Sequence, residues 1–183
     1  MTRDGFEHAV RAAGAVLGVD EVLVLGSQAV HGSLDEPLPE EALRSIEVDV
    51  AVLGDEDGHQ ADLIDGSIGE ASMFHQTFGY YAQGVVERTA VLPKGWKDRL
   101  VRFESAGTNG VVALCLELHD LWISKAIANR QKDIEFCLAL LEMGVVDPVE
   151  LRARLVLVAD LPEAVRRIVE ARIPLAGPLL SEG

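Results

Sequence analysis

Residues 45–53 read Ser-Ile-Glu-Val-Asp-Val-Ala-Val-Leu, an alternation that the two-residue side-chain period of a strand turns into two unlike faces. Ile46, Val48, Val50 and Val52 fall on one face, and Glu47, Asp49 and Ala51 on the other. A strand of this kind needs a sheet around it. The nearest upstream partner is the aliphatic run 21–25, which reads as a buried strand ending at Gly26. Ser27 follows, and a serine at that point is expected to cap a short helix by accepting from free N–H groups of its first turn.

Helices frame these strands. Phe6, Val10, Ala13 and Leu17 recur at helical spacing, and Gly18 is a natural stop, so residues 4–18 are predicted to be an amphipathic helix. Residues 34–42 carry two prolines and four acids and read as a loop. The stretch 55–79 is polar and punctuated by glycine, and it is helical only in parts. Further strands are expected over 80–92, 99–103 and 111–116, with Pro93-Lys94-Gly95 as a turn. After Leu116 the period changes, and four helices are predicted near 117–129, 131–143, 147–158 and 161–173, with Gly144 and Asp147-Pro148 as stop and start. The fold class is therefore α/β in the α+β sense. A mixed sheet with flanking helices occupies residues 1–116, and a helical segment, 117–183, packs on it.

Composition sets limits. A chain of 183 residues with 49% hydrophobic and 25% charged residues can bury a core without staples. Cys115 and Cys137 lie in apolar runs and read as buried thiols, and the five histidines have no zinc-ligand spacing. No apolar run approaches the roughly 18 residues of a membrane span, so a cytoplasmic protein without membrane association is expected. The net charge of −14 disfavours broad, sequence-independent binding to nucleic acid. Between Arg88 and Lys132, however, eight Lys/Arg face four Asp/Glu, which leaves room for a phosphate-facing patch on an acidic protein.

The strand ending in Gly-Ser, the short helix and the strand bearing two carboxylates together have the logic of a triphosphate site. Gly26 admits close backbone approach, Ser27 offers N–H donors and a hydroxyl to phosphate oxygens, and Glu47 and Asp49 share a hard Mg²⁺ ion. The metal would offset charge on the α-phosphoryl group of a nucleoside triphosphate. Glu87 is the candidate for a third metal carboxylate, on strand placement alone. Each element also has a plainer explanation. Gly-Ser is a common turn, Glu-x-Asp among valines is what a half-exposed edge strand shows, and Lys125, Asn129 and Lys132 fit a solvated helix face. His119-Asp120 reads as a helix cap, His31 as a packed histidine, and Trp96 and Trp122 as packing residues.

Residues 22–33 (Val-Leu-Val-Leu-Gly-Ser-Gln-Ala-Val-His-Gly-Ser), followed by 45–52, resemble the signature of nucleotidyltransferase-fold proteins. Residues 118–136 (Leu-His-Asp-Leu-Trp-Ile-Ser-Lys-Ala-Ile-Ala-Asn-Arg-Gln-Lys-Asp-Ile-Glu-Phe) resemble the C-terminal motif of bacterial abortive-infection-type and related uncharacterised nucleotidyltransferases. The resemblance implies Gly26 and Ser27 at the phosphates, Glu47 and Asp49 at the metal, Lys125 on phosphate, and Lys132 with Asp133 in the wall of the cleft. It implies transfer of a nucleoside monophosphate to a hydroxyl and a role as the toxin of a toxin–antitoxin pair, with an antitoxin partner and tRNA or protein as acceptor. The acidic surface suits a cationic small-molecule acceptor such as an aminoglycoside better than RNA. Glu47 stands where this group usually has Asp, and the segment between Ser27 and Glu47 is longer than usual. These departures keep a second expectation open, a non-catalytic nucleotide- or partner-binding module on the same fold.

Overall fold

The computed structural model describes residues 1–35 and 37–175. Helix α1 (Arg3–Leu17) opens with Thr2 accepting from the Gly5 N–H and closes at Gly18, whose left-handed backbone (φ 66°) ends it as the sequence predicts. Phe6, Ala9, Val10 and Ala13 are its buried stripe.

Five strands form one mixed sheet in the order β3-β2-β1-β5-β4. They are β1 (Glu21–Val24), β2 (Glu47–Ala51), β3 (Tyr81–Gly84), β4 (Val101–Phe103) and β5 (Val112–Cys115). β1 runs parallel to β5 and antiparallel to β2, while β2 and β3 are parallel and β4 and β5 antiparallel. β2 is thus an interior strand, which removes the edge-strand explanation of its two acids. Val48 and Val50 are fully buried on its apolar face.

Between β1 and β2 lie a 3₁₀ turn, Ser27–Gly32, and the short helix α2 (Glu40–Arg44). Gly26, not Ser27, takes the N-cap position of that turn, and no side chain caps it. The turn is pinned from inside instead. Buried Gln28 donates from Nε2 to the Ala42 carbonyl (2.8 Å) and accepts at Oε1 from His31 Nε2 (3.1 Å), and His31 stacks on Phe6 with centroids 4.4 Å apart. Burial pushes the His31 pKa down to about 4, so the ring is neutral and belongs to the packing.

α3 (His59–Ile68) and α4 (Met73–Phe78) fill the polar stretch before β3. β3 is much shorter than the predicted strand over 80–92. Only residues 81–84 find a partner in β2, and the chain then turns into a 3₁₀ stretch at Glu87–Thr89. Similarly, Trp96–Arg99 is 3₁₀ and only Val101–Phe103 pairs with β5. The apolar residues past Gly84 lose their partner because β2 ends at Ala51, and Glu87-Arg88 and Lys97-Asp98-Arg99 have little strand propensity of their own.

Among the described residues four helices follow, α5 (Leu118–Ala128), α6 (Gln131–Glu142), α7 (Pro148–Val156) and α8 (Glu163–Arg172), close to the predicted segments, and residues 176–183 of the predicted helical segment lie outside the described residues. Leu121, Trp122, Ile123, Leu140 and Leu151 are fully buried and join the same apolar cluster as the strands. Trp122 donates from Nε1 to the Cys137 carbonyl (3.0 Å), locking α5 to α6. Trp96 is partly buried against the same core.

His119-Asp120 is not the cap of α5. Glu117 takes that role, accepting from the His119 N–H, and Asp120 is fully buried between Arg99 and Arg154. Cys115 and Cys137 are buried free thiols. Among the described residues no helix is long and apolar enough to cross a membrane.

Candidate functional site

The register of β2 against β3 builds the floor of the site. Glu47 lies beside Tyr81 and Asp49 beside Gln83, so all four side chains share one face of the sheet. α5 brings Lys125 and α6 brings Lys132 and Asp133 to hollows shared with this face, and Arg130, between the two helices, joins them. Two hollows open there. One, of about 310 Å³, is lined by Ser27, Arg44, Tyr81, Lys132, Asp133 and Phe136 among others. The second, of about 400 Å³, has Gly26, Gln83, Thr89, Ser124 and Arg130 in its wall. Both are also lined by Glu47, Asp49 and Lys125, so the carboxylate pair stands where the two hollows meet.

The end of β1 is fitted to this pair. A Cβ on residue 26 would fall on Asp49 Oδ2, so only glycine lets the β1 strand end pass the carboxylate. Burial, and next the charge of Glu47, push the Asp49 pKa up to about 6, while Lys125, Lys132 and Arg130 pull it back by less. Tyr81 donates its hydroxyl to Glu47 Oε2 (3.0 Å) and is itself pushed up to about 12, by burial first and by that hydrogen bond second. Tyr81 therefore stays a neutral donor that orients Glu47.

Asp133 is buried and organises the cations. It lies 3.6 Å from Lys125 Nζ and accepts from Arg130 Nε at 2.6 Å. The hydrogen bond to Asp133 raises the Arg130 pKa further above its usual value. Asp133 thus positions two cations beside the carboxylates, and the plainer explanation of Lys125 as a solvated face residue does not describe a side chain only 14% exposed.

Of the residues singled out in the sequence, Ser27, Glu47, Asp49, Lys125, Lys132 and Asp133 converge on the first hollow, and Gly26 borders the second. Glu87 does not join them. It lies in a 3₁₀ turn rather than a strand, accepts from the Gly54 N–H (3.0 Å), and pairs with Lys97 (2.6 Å) at a separate hollow. Burial raises its carboxyl pKa, but the Lys97 and Gly54 hydrogen bonds outweigh this and hold it below the usual range. The position beside Asp49 is Gln83, an amide. Among the described residues no group of three or more His, Cys, Asp and Glu side chains gathers as a metal site, and the carboxylates remain a pair.

Tyr81, Gln83, Arg130 and Arg44 were missed in the sequence. For Tyr81 and Gln83 the signal is the phase of the strand: starting β3 at residue 81 places both on the face of Glu47 and Asp49. Arg130 precedes the Lys-Asp pair and shows nothing locally to separate it from a solvated residue.

A mixed sheet with a Gly-Ser strand end beside a two-carboxylate strand, closed by helices that carry cations, is a nucleotidyltransferase-like fold. The comparison with known families agrees, since the profile described as nucleotidyltransferase of unknown function (DUF6036) matches residues 9–167. The chain belongs to that family. No curated protein and no solved structure matches it significantly.

Proposed function

We propose that the protein transfers a nucleoside monophosphate from a nucleoside triphosphate to an acceptor hydroxyl, with Glu47 and Asp49 as ligands of Mg²⁺. One observation carries the reading: the carboxylate pair stands at the junction of two hollows, one of which gathers Ser27, Lys125 and Lys132 around it. Transfer forms a bond from the acceptor oxygen to the α-phosphorus and breaks the bond to the bridging oxygen. Pyrophosphate leaves, and the hydroxyl proton is released to water.

The residues fit a hard divalent cation. Two oxygen-donor side chains share one strand face, and no salt bridge or hydrogen bond among the described residues engages the Asp49 carboxylate, whose pKa is raised first by burial and next by the charge of Glu47. When bound, Mg²⁺ would offset charge on the phosphoryl oxygens. The chain itself supplies the rest. Lys125 and Lys132 offer charge to phosphate, Asp133 holds Lys125 in place, and Tyr81 orients Glu47.

Asp49→Ala is expected to abolish Mg²⁺-dependent labelling of an acceptor from α-labelled nucleotide. Unchanged labelling would overturn the assignment. A thermal-shift titration with ATP, CTP, GTP and UTP, each with and without Mg²⁺, identifies the base. The role as a toxin with an antitoxin partner rests on the sequence resemblance, and growth arrest on expression that depends on Asp49 tests it.

The presence of Gln83 where a third acid would complete the pair favours a second reading, a module that binds nucleotide without turning it over. Mg²⁺-dependent nucleotide binding in calorimetry with no release of pyrophosphate distinguishes it.

A further inference from the structure

The second hollow is chemically unlike the first. The first has Glu41, Glu135 and Asp133 in its wall together with Arg44 and Lys132. The second, apart from the shared Glu47, Asp49 and Lys125, has one charged side chain, Arg130, and its other polar side chains are the Gln83 amide and the Thr89 and Ser124 hydroxyls.

Arg130 is held for use. Its Nε donates to Asp133 Oδ2 (2.6 Å) and Nη2 lies 3.4 Å from Oδ1, so one edge of the guanidinium is fixed on a buried carboxylate. No hydrogen bond engages Nη1 among the described residues, and the side chain is 60% exposed. A guanidinium fixed at one edge presents the remaining N–H groups in a set direction, which suits the fork geometry of a phosphate.

Phosphoryl transfer is in line, so the nucleophile must approach the α-phosphorus from the side opposite the departing pyrophosphate. With the triphosphate in the hollow of Ser27, Lys125 and Lys132, the second hollow is the remaining approach to the carboxylate pair. We infer that this hollow is the acceptor site and that it takes a phosphorylated alcohol, its hydroxyls met by Gln83, Thr89 and Ser124 and its phosphate by Arg130. The inference rests on the nucleotidyl-transfer reading and deepens it.

Charge and size agree. On the nucleotidyl-transfer reading Glu47 and Asp49 are taken by the metal and Lys125 by the triphosphate, so the charge left to this hollow is that of Arg130, which favours an anionic acceptor over a cationic one whatever the sign of the whole protein. About 400 Å³ lies within the range of small-ligand sites and suits a sugar phosphate or the terminal nucleotide of a longer chain.

Backbone NMR shifts of the ¹⁵N-labelled full chain test this with glycerol 3-phosphate, glycerol and spermidine as probes, each with and without MgATP. Glycerol 3-phosphate is expected to shift Gln83, Thr89, Ser124 and Arg130, to persist when MgATP is present, and to bind at least about tenfold more tightly than glycerol. Arg130→Gln should lose that preference and Arg130→Lys should retain part of it. MgATP shifts at Ser27 and Lys132 report that either variant is folded. Equal binding of glycerol, displacement of glycerol 3-phosphate by MgATP, or spermidine binding at Gln83 and Arg130 overturns the inference. If MgATP shifts nothing while glycerol 3-phosphate still shifts this hollow, it is nucleotidyl transfer that fails, and the hollow stands as an anion site alone.

Discussion

Gly26 and Asp49 are built against each other: the space a β-carbon would take at residue 26 is occupied by the Asp49 carboxylate. The glycine is therefore a steric condition for the acid. Its backbone is extended (φ −89°, ψ −166°), so any residue could adopt the conformation, and contact alone excludes the others.

Gly26→Ala is accordingly expected to destabilise the protein by about 1–3 kcal/mol, the usual cost of overpacking, and to displace Asp49. In an Asp49→Gly background the same change should cost much less. A double-mutant cycle by urea unfolding checks this, and additive effects of the two changes would refute the coupling.

Asp49 also sets a pH dependence. Its folded pKa, about 6, lies above the ordinary value of 3.8, so the folded state binds its proton more tightly than the unfolded chain. Stability from this group is full below the unfolded pKa and is lost as pH rises through about 6. Asp49→Asn, which carries no charge, should therefore stabilise the metal-free protein at alkaline pH by up to about 3 kcal/mol, less whatever water and Lys125 screen. The gain should vanish toward pH ~4, where Asp49 is protonated in the folded state. Urea midpoints of both proteins across pH test the sign, and a gain that grows in acid would contradict it.

The buried acid of α5 behaves differently. Asp120 is fully buried and holds Arg99 (2.8 Å) and Arg154 (3.1 Å), joining the segment before β4 to α5 and α7. Asp120→Ala leaves two arginines facing each other without their shared acceptor and should destabilise by about 3–5 kcal/mol. A loss under 1 kcal/mol in urea unfolding would show that water replaces the carboxylate.

The elements most legible in the sequence are those whose signal is local. α1 ends at Gly18, α5 at Asn129, and α7 starts at Asp147-Pro148, because caps and the helical period are written in adjacent residues. Glu47 and Asp49 were legible for the same reason, as alternation within one strand. Gln83 was not, because what places it is register against β2, and Glu87 was not, because β3 ends before it and Lys97 and the Gly54 N–H hold it elsewhere. The apolar run over 80–92 hid the point at which β3 leaves the sheet, and Gly84 marks it: a Cβ there would collide with the Ala61 carbonyl. Asp120 looked like a helix cap because its two arginines lie 21 and 34 residues away.

Gln83 offers the most direct test of the carboxylate pair. It lies beside Asp49 across the β2–β3 ladder, is exposed to the second hollow, and as an amide supplies an oxygen without charge. Cation affinity in oxygen sites rises with the number of charged ligands. Gln83→Glu should then bind Mg²⁺ about tenfold more tightly in calorimetry, a gain of about 1.4 kcal/mol. Without metal the same change adds a third negative charge beside a carboxyl already pushed up to about 6, so the metal-free variant should be less stable than the wild type at pH 8 and recover when Mg²⁺ is added. The two effects have opposite signs and one origin. A variant that loses stability without gaining Mg²⁺ affinity would show that residue 83 faces the acceptor alone and that the metal, if bound, is held by Glu47 and Asp49 without it.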